Sequence, residues 1–264
     1  MTSGLSLESN KAWILDQLYS HDLSEYKFLF FPENSLSLKI TDSDRLERIS
    51  MIDPFWDELK TICEANDLEM QISTAIQGVV GKNKGPTLNS SFWITKDGIK
   101  SVYNKIHLFK VMLPNKTIDE NTTFNAGTSP MIHNSELGLT FGSSICFDLR
   151  FPKLYQYYAD QNVNVITVPS AFLERTGKDH WHVLLKARAI ETQAYVIASA
   201  QSGHHVCPNT NQVRHTYGHS LVVDPWGNVI LDAGQDSGLF NCYVDIEFLK
   251  KTRSAIPMDR TFKG

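Results

Sequence analysis

A chain of 264 residues with 42% hydrophobic and 20% charged content can bury a sizeable core in one large or two small domains. A net charge of −4 and a pI near 6.1, with Lys and Arg scattered along the chain, give no electrostatic case for nucleic acid. No run of about eighteen apolar residues offers a membrane span.

The start, MTSGLSLESNKAW, lacks the charged and apolar regions of a signal peptide. Cys63, Cys146, Cys207 and Cys242 are widely spaced without a CxxC pair, which fits a reducing cytoplasm better than a disulfide framework. The sequons at Asn89, Asn115 and Asn121 carry no meaning without secretion. No repeat, low-complexity tract or Pro/Gly/Ser linker divides the chain, so one domain over 1–264 is expected.

Helical spacing runs from Leu7 to Tyr19, with Trp13, Ile14, Leu15 and Leu18 as its apolar stripe. Phe28 to Phe31 is short and aromatic, suiting a buried strand that ends at Pro32-Glu33. Asp42 or Ser43 opens a longer predicted helix carrying Leu46, Ile49, Ile52, Trp56, Leu59 and Ile62. Met70 to Val80 reads as a strand, and Ser91 to Thr95 with Lys100 to Tyr103 as a hairpin about Lys96-Asp97-Gly98. Strand 139–145 leads to helix 152–160, then strand 163–168, helix 178–193 and strand 195–200. A hairpin (220–224 and 229–232 about Pro225-Trp226-Gly227-Asn228) and a strand at 239–244 nearly close the chain. Strands alternating with helices, interrupted by hairpins, point to a mixed α/β sandwich.

Cys146 stands in Gly142-Ser-Ser-Ile-Cys-Phe-Asp-Leu-Arg150-Phe-Pro152, where the strand pattern gives way to a helical one and Pro152 suits a first helical turn. Such a corner projects a cysteine beside a helix N-terminus, favouring a thiolate nucleophile. The competing reading is a small buried hydrophobe. Gly78-Val-Val-Gly81-Lys82 is too short an interval for a phosphate loop and is rejected. His180/His182, His204-His205 and His215/His219 lack ligand spacing, so structural histidines are expected and no metal. Phe28-Leu-Phe-Phe-Pro-Glu33 puts a carboxylate at a strand end, and Tyr103-Asn-Lys105-Ile-His-Leu-Phe109 puts a lysine where a strand leaves the sheet. Alone, Glu33 reads as a solvated acid and Lys105 as a snorkelling lysine. Gathered with Cys146 at the carboxyl ends of strands, they supply a base, an oxyanion stabiliser and a nucleophile.

Those residues resemble the nitrilase superfamily of carbon–nitrogen hydrolases, with FFPE, YNKIHLF and GSSICFDLRFP matching its Glu, Lys and Cys motifs in order. PSAFLERTGKDHW, LLKARAIETQAYVIASAQSGHH and YGHSLVVDPWG extend the likeness from about Ser6 to Arg260. The last two are more similar to the deaminated glutathione amidase branch than to its ω-amidase relatives. The resemblance implies an αββα sandwich, a homodimer, no cofactor, and hydrolysis of a small carboxylate-bearing amide, most of all deaminated glutathione. An ω-amidase, a carbamoylase or a catalytically impaired binding protein are the alternatives. It implies Glu33 as general base, Lys105 and the Phe147 N–H as oxyanion donors, and Cys146 as nucleophile. Glu120, in Asp119-Glu-Asn-Thr, is similar to the family's second, orienting glutamate, and otherwise reads as a loop acid. Arg150 would grip a substrate carboxylate, with a structural ion pair to Asp148 or a helix carboxylate as its rival role. Phe172 and Thr176 would line the pocket, while Trp181 and Trp226 read as packing residues.

Two departures stand out. Lys110 follows Phe109 where the family often has Asp. MTSGLSLESN resembles the stretch just after the family's first β-strand, so a strand of roughly 5–8 residues beside Phe28 to Phe31 is expected ahead of Met1.

Overall fold

Residues 1–41, 43–80, 83–113 and 116–260 are described by a computed structural model. Helix α1 (Leu7–Ser20) starts where the Ser6 hydroxyl accepts the Ser9 N–H, which satisfies one of the orphan donors of a first turn. Strand β1 (Phe28–Phe30) follows, then α2 (Phe55–Asn66), β2 (Glu69–Val80), β3 (Asn83–Thr95) and β4 (Gly98–Asn104). These strands form one sheet in the order β1-β2-β3-β4, parallel between β1 and β2 and antiparallel beyond. A ribbon of β5 (Lys110–Leu113) and β6 (Lys116–Asp119) leads to β7 (Ile132–Asn134), β8 (Thr140–Ser143) and α3 (Pro152–Asp160). The chain continues through β9 (Val165–Thr167), α4 (Glu174–Thr192), β10 (Tyr195–Ala198), β11 (Ser202–Val206), β12 (Val213–Tyr217), β13 (Leu221–Val223), β14 (Val229–Asp232) and α5 (Ile246–Ala255). The second sheet runs β14-β13-β10-β9-β8-β7, and β11-β12 is a separate ribbon.

The period of two along each strand sets the layers. Met70, Ile72, Phe92 and Ile94 are buried with Ile14 and Leu18 of α1 and Trp56 and Leu59 of α2. Their neighbours point the other way: the Gln71 amide donates to Thr167 Oγ1 at 2.9 Å, and Trp93 packs on Phe141 of the second sheet. On that sheet Val165 faces inward with Trp93, while Ile166 turns outward to Tyr155, Trp181 and Leu185 of α3 and α4. The result is the helix–sheet–sheet–helix sandwich. Each fully buried aromatic or aliphatic side chain in it contributes about 1.5–3 kcal/mol. Gly142 is where α3 comes closest to β8, since a Cβ there would sit 2.6 Å from Tyr158 Cγ.

Several boundaries depart from expectation. The helix expected from residue 42 or 43 begins only at Phe55, because Pro54 disfavours α geometry in the residue before it. Asp42 lies outside the described residues. Within that irregular stretch Ile49 still bridges to Ile76 in the sheet, but Ile52 is 91% exposed. Helix α4 starts four residues early, at Glu174, and β3 reaches back to Asn83. The segment 239–244 makes no strand. Leu239, Phe240 and Val244 instead line a large groove with Phe28, Phe30 and Ile197. A strand needs a paired neighbour, and β1 on the other side of this groove is the edge of its own sheet. The ribbons β5-β6 and β11-β12 and strand β7 were not anticipated, being short or polar. Gly81 and Lys82 of the rejected phosphate loop lie outside the described residues.

Candidate active site

Glu33, Lys105 and Cys146 arrive from three separate corners. Glu33 follows β1 past Pro32, and its backbone carbonyl is held by the Gln201 amide at 3.0 Å. Lys105 follows β4, its N–H donating to Asn89 O and its carbonyl accepting from Gly127 N–H. Cys146 follows β8 and opens a five-residue 3-10 turn, Cys146–Arg150, before Pro152 starts α3. Its φ is +49°, a left-handed backbone that a cysteine adopts only at a cost. The Asp148 carboxylate over-determines this corner by accepting from Ile145 N–H, Tyr103 hydroxyl and His107 N–H at 2.7–2.9 Å, with His107 Nδ1 2.8 Å away.

The side chains converge in near-complete burial, with Glu33 and Lys105 each 1% exposed and Cys146 8%. Lys105 Nζ donates to Glu33 Oε1 and Glu120 Oε2, each at 2.8 Å. Glu33 also accepts from Asn89 Nδ2 at 2.8 Å and from the Ala171 N–H at 2.9 Å, and the Cys146 thiol lines the same pocket. Burial alone would raise the Glu33 pKa, but the Lys105 charge and these hydrogen bonds outweigh it and hold the group below its usual range. Burial likewise opposes the ammonium, yet Glu120 and Glu33 drive the Lys105 pKa well upward. The Cys146 thiol is pushed well up, by burial first and then by the Glu33 charge. This corrects the expected thiolate: the short turn's N-terminus does not offset a buried carboxylate, and sulfur rests protonated beside an ionised base.

Glu120 sits in the turn Glu120–Thr122 after β6, anchored to Lys105 and to the Phe109 N–H at 2.8 Å. It is therefore not a free loop acid. Phe147 flanks Cys146, and its N–H precedes the turn's first internal hydrogen bond, Asp148 N–H to Ile145 O. Glu33, Glu120, Cys146, Phe147, Arg150, Phe172 and Thr176 all line one pocket. Among the described residues Arg150 makes no carboxylate ion pair: it lies 3.2 Å from His180 Nδ1 and over the Phe147 and Phe172 rings. Its rival role is thereby corrected, because Asp148 is engaged elsewhere. Trp181 is fully buried, whereas Trp226 is half exposed at a turn rather than packed. Sequence reasoning missed Asn89, the Ala171 N–H and Arg214, which lines the pocket from β12 and donates to Lys39 O at 2.9 Å. Only Asn89 left a trace, as a sequon two residues ahead of the strand expected from Ser91.

The sequence profile of carbon–nitrogen hydrolases matches residues 26–254. The chain belongs to this family. It is similar to a protein named deaminated glutathione amidase from Synechocystis, 42% identical over 182 residues, 67% of this chain and 65% of that one. The chain thus spans just under two thirds of that relative's length. It is 37% identical over 243 residues to the probable hydrolase nit2 of Schizosaccharomyces pombe, covering 89% of this chain and 85% of that one. Among solved structures, C. elegans NitFhit superposes with a TM-score of 0.80 at 28% identity, covering 97% of this chain and 62% of that one. Saccharomyces cerevisiae Nit3, titled a member of branch 10 of the nitrilase superfamily, gives 0.76 at 25% identity, covering 98% and 93%. These superpositions establish the nitrilase-superfamily fold for this chain.

Proposed function

We propose that this protein is a thiol-dependent amidase that hydrolyses a carbon–nitrogen bond in a small carboxylate-bearing amide, deaminated glutathione being the preferred substrate. The observation that carries the reading is a buried thiol sharing one pocket with a buried carboxylate, with an ammonium fixed 2.8 Å from that carboxylate.

In this reading Glu33 takes the proton from Cys146 as sulfur attacks the amide carbon. Lys105 and the Phe147 N–H meet the developing oxyanion; one such donor typically contributes about two to three orders of magnitude in rate. Collapse breaks the C–N bond, and the proton on Glu33 leaves with the amine. Glu33 then takes a proton from water, hydroxide attacks the thioester, and the C–S bond breaks. The proton held by Glu33 returns to the sulfur, closing the cycle. Glu120 orients Lys105 throughout. Arg150, without a carboxylate partner among the described residues, supplies the charge to hold the substrate's acid group.

The name carried by the Synechocystis relative supports deaminated glutathione over the ω-amidase and carbamoylase alternatives. Side-by-side turnover of deaminated glutathione, α-ketoglutaramate and an N-carbamoyl amino acid tests this. Preference for either of the last two refutes the substrate, and absence of turnover on all three with the thiol intact refutes the enzyme. A homodimer in the cytoplasm is part of the same proposal. Tyr157, Val183 and Ile190, exposed on α3 and α4, are consistent with a covered helical face, and among the described residues no helix is long and apolar enough to cross a membrane.

A further inference from the structure

His182, His219 and Asp232 were never paired by sequence, where His182 stood with His180 and His219 with His215. The fold brings them together from α4, the turn after β12 and the end of β14. His182 Nε2 lies 3.0 Å from Asp232 Oδ2, and His219 Nδ1 lies 2.9 Å from Asp232 Oδ1. One ligand atom from each residue falls within 4.8 Å of the others. A zinc ion with bonds of about 2.0–2.2 Å fits such a triangle.

The cluster is held in place by its surroundings. His219 has φ +56°, a left-handed conformation that a histidine adopts only at a cost. Trp181 Nε1 donates to its carbonyl at 2.8 Å, its own N–H donates to Gly234 O, and Tyr217 stacks on its ring at 4.3 Å. Asp232 is oriented by the Gly234 N–H at 2.9 Å. The side chains are 24–33% exposed, which leaves one side open to water.

We infer that His182, His219 and Asp232 form a divalent transition-metal site, with zinc as the fitting ion and water completing the coordination. Imidazole and carboxylate donors suit zinc, copper or nickel. On binding, each neutral ring gives the ion the lone pair of the nitrogen that faces Asp232 and carries its single proton on the other nitrogen, a change of tautomer with no net loss of protons. The ion ties α4 to the β12–β13 turn and to β14. It touches none of Glu33, Lys105 or Cys146, so its role is to brace the fold, not to take part in hydrolysis.

Isothermal titration with zinc after chelator treatment, on the intact chain, tests the site. One equivalent should bind, and the melting temperature should rise by several degrees. His182→Gln, on an exposed helical position, and His219→Asn, which tolerates the left-handed backbone, should each weaken binding at least tenfold and abolish the thermal shift. Asp232→Asn should do the same. Failure of the chain to bind sub-millimolar zinc overturns the inference. So does equal binding by the histidine variants, which would place the ion on the thiols instead.

Discussion

Cys146 illustrates how a residue's chemistry depends on a neighbour distant in sequence. Its thiol is pushed up by burial and by the charge of Glu33, so nucleophilicity must come from proton transfer to that carboxylate. Cys146→Ala, Glu33→Gln and Lys105→Ala should each reduce amide turnover by at least about two to three orders of magnitude. Cys63→Ala, Cys207→Ala and Cys242→Ala should leave it near the parent rate. A comparable loss on replacing Cys207 alone would remove Cys146 as sole nucleophile. Arg150 offers a separable test, since among the described residues its guanidinium has aromatic and histidine neighbours but no carboxylate. Arg150→Leu should raise KM for α-keto-acid amides far more than for a neutral amide of similar size. Uniform loss on both, with a lower melting temperature, would assign it a structural role.

At the scale of elements, the Cys146–Arg150 turn depends on Asp148, which anchors the turn to β4 through Tyr103 and to the following segment through His107. Asp148→Ala strands several buried donors, each costing about 1–3 kcal/mol. Urea denaturation should show destabilisation on the order of 3 kcal/mol, with activity falling alongside as the left-handed Cys146 backbone relaxes. Wild-type stability in that variant would mean the strain is held elsewhere. A second prediction concerns the groove beside β1. We propose that it takes an extended apolar strand, and Met1 lies at its end against Phe30, Ser199 and Leu239. Fusing a Val/Ile-rich strand of about 5–8 residues ahead of Met1 should raise the melting temperature and reduce aggregation through the β1 edge. No gain in either would show that the groove rejects a strand.

The whole molecule's response to pH follows from groups titrating differently in the folded and unfolded chain. Cys146 is raised in the fold, Cys63 is pushed up to about 12, and Cys242 is raised as well, all chiefly by burial. For a group so raised, the stabilisation is complete below the unfolded thiol pKa of about 8.5 and is lost as pH climbs above it toward the folded value. Unfolding free energy should therefore fall between pH 7.5 and 9.5, and Cys146→Ser should flatten the slope. Glu33 works at the other end. Its lowered pKa contributes stability above the ordinary carboxylate range of about 4.3, lost as pH falls through the folded value. An unchanged alkaline slope in the serine variant would contradict the raised Cys146 pKa.

Glu33, Lys105 and Cys146 were legible because each sits in a local run whose pattern survives without the fold: an apolar strand ending in Pro-Glu, a strand exit, and a strand-to-helix corner. Met70 to Val80 and Val163 to Val168 likewise read as strands from the chain itself, whose side-chain period then sends Gln71 and Ile166 to the opposite faces from Met70 and Val165. What the chain alone could not settle was set by long-range contact. Residues 239–244 look like a strand, but only a neighbouring backbone makes one. Ile52 fits a helical stripe until Pro54 and tertiary packing displace the helix start to Phe55. Arg214 reaches the pocket, Asn89 reaches Glu33, and His182, His219 and Asp232 meet, through contacts between segments far apart in sequence. Local pattern determined which residues could do chemistry; the packing of two sheets decided which of them meet, because proximity, burial and pKa depend on positions that sequence order does not encode.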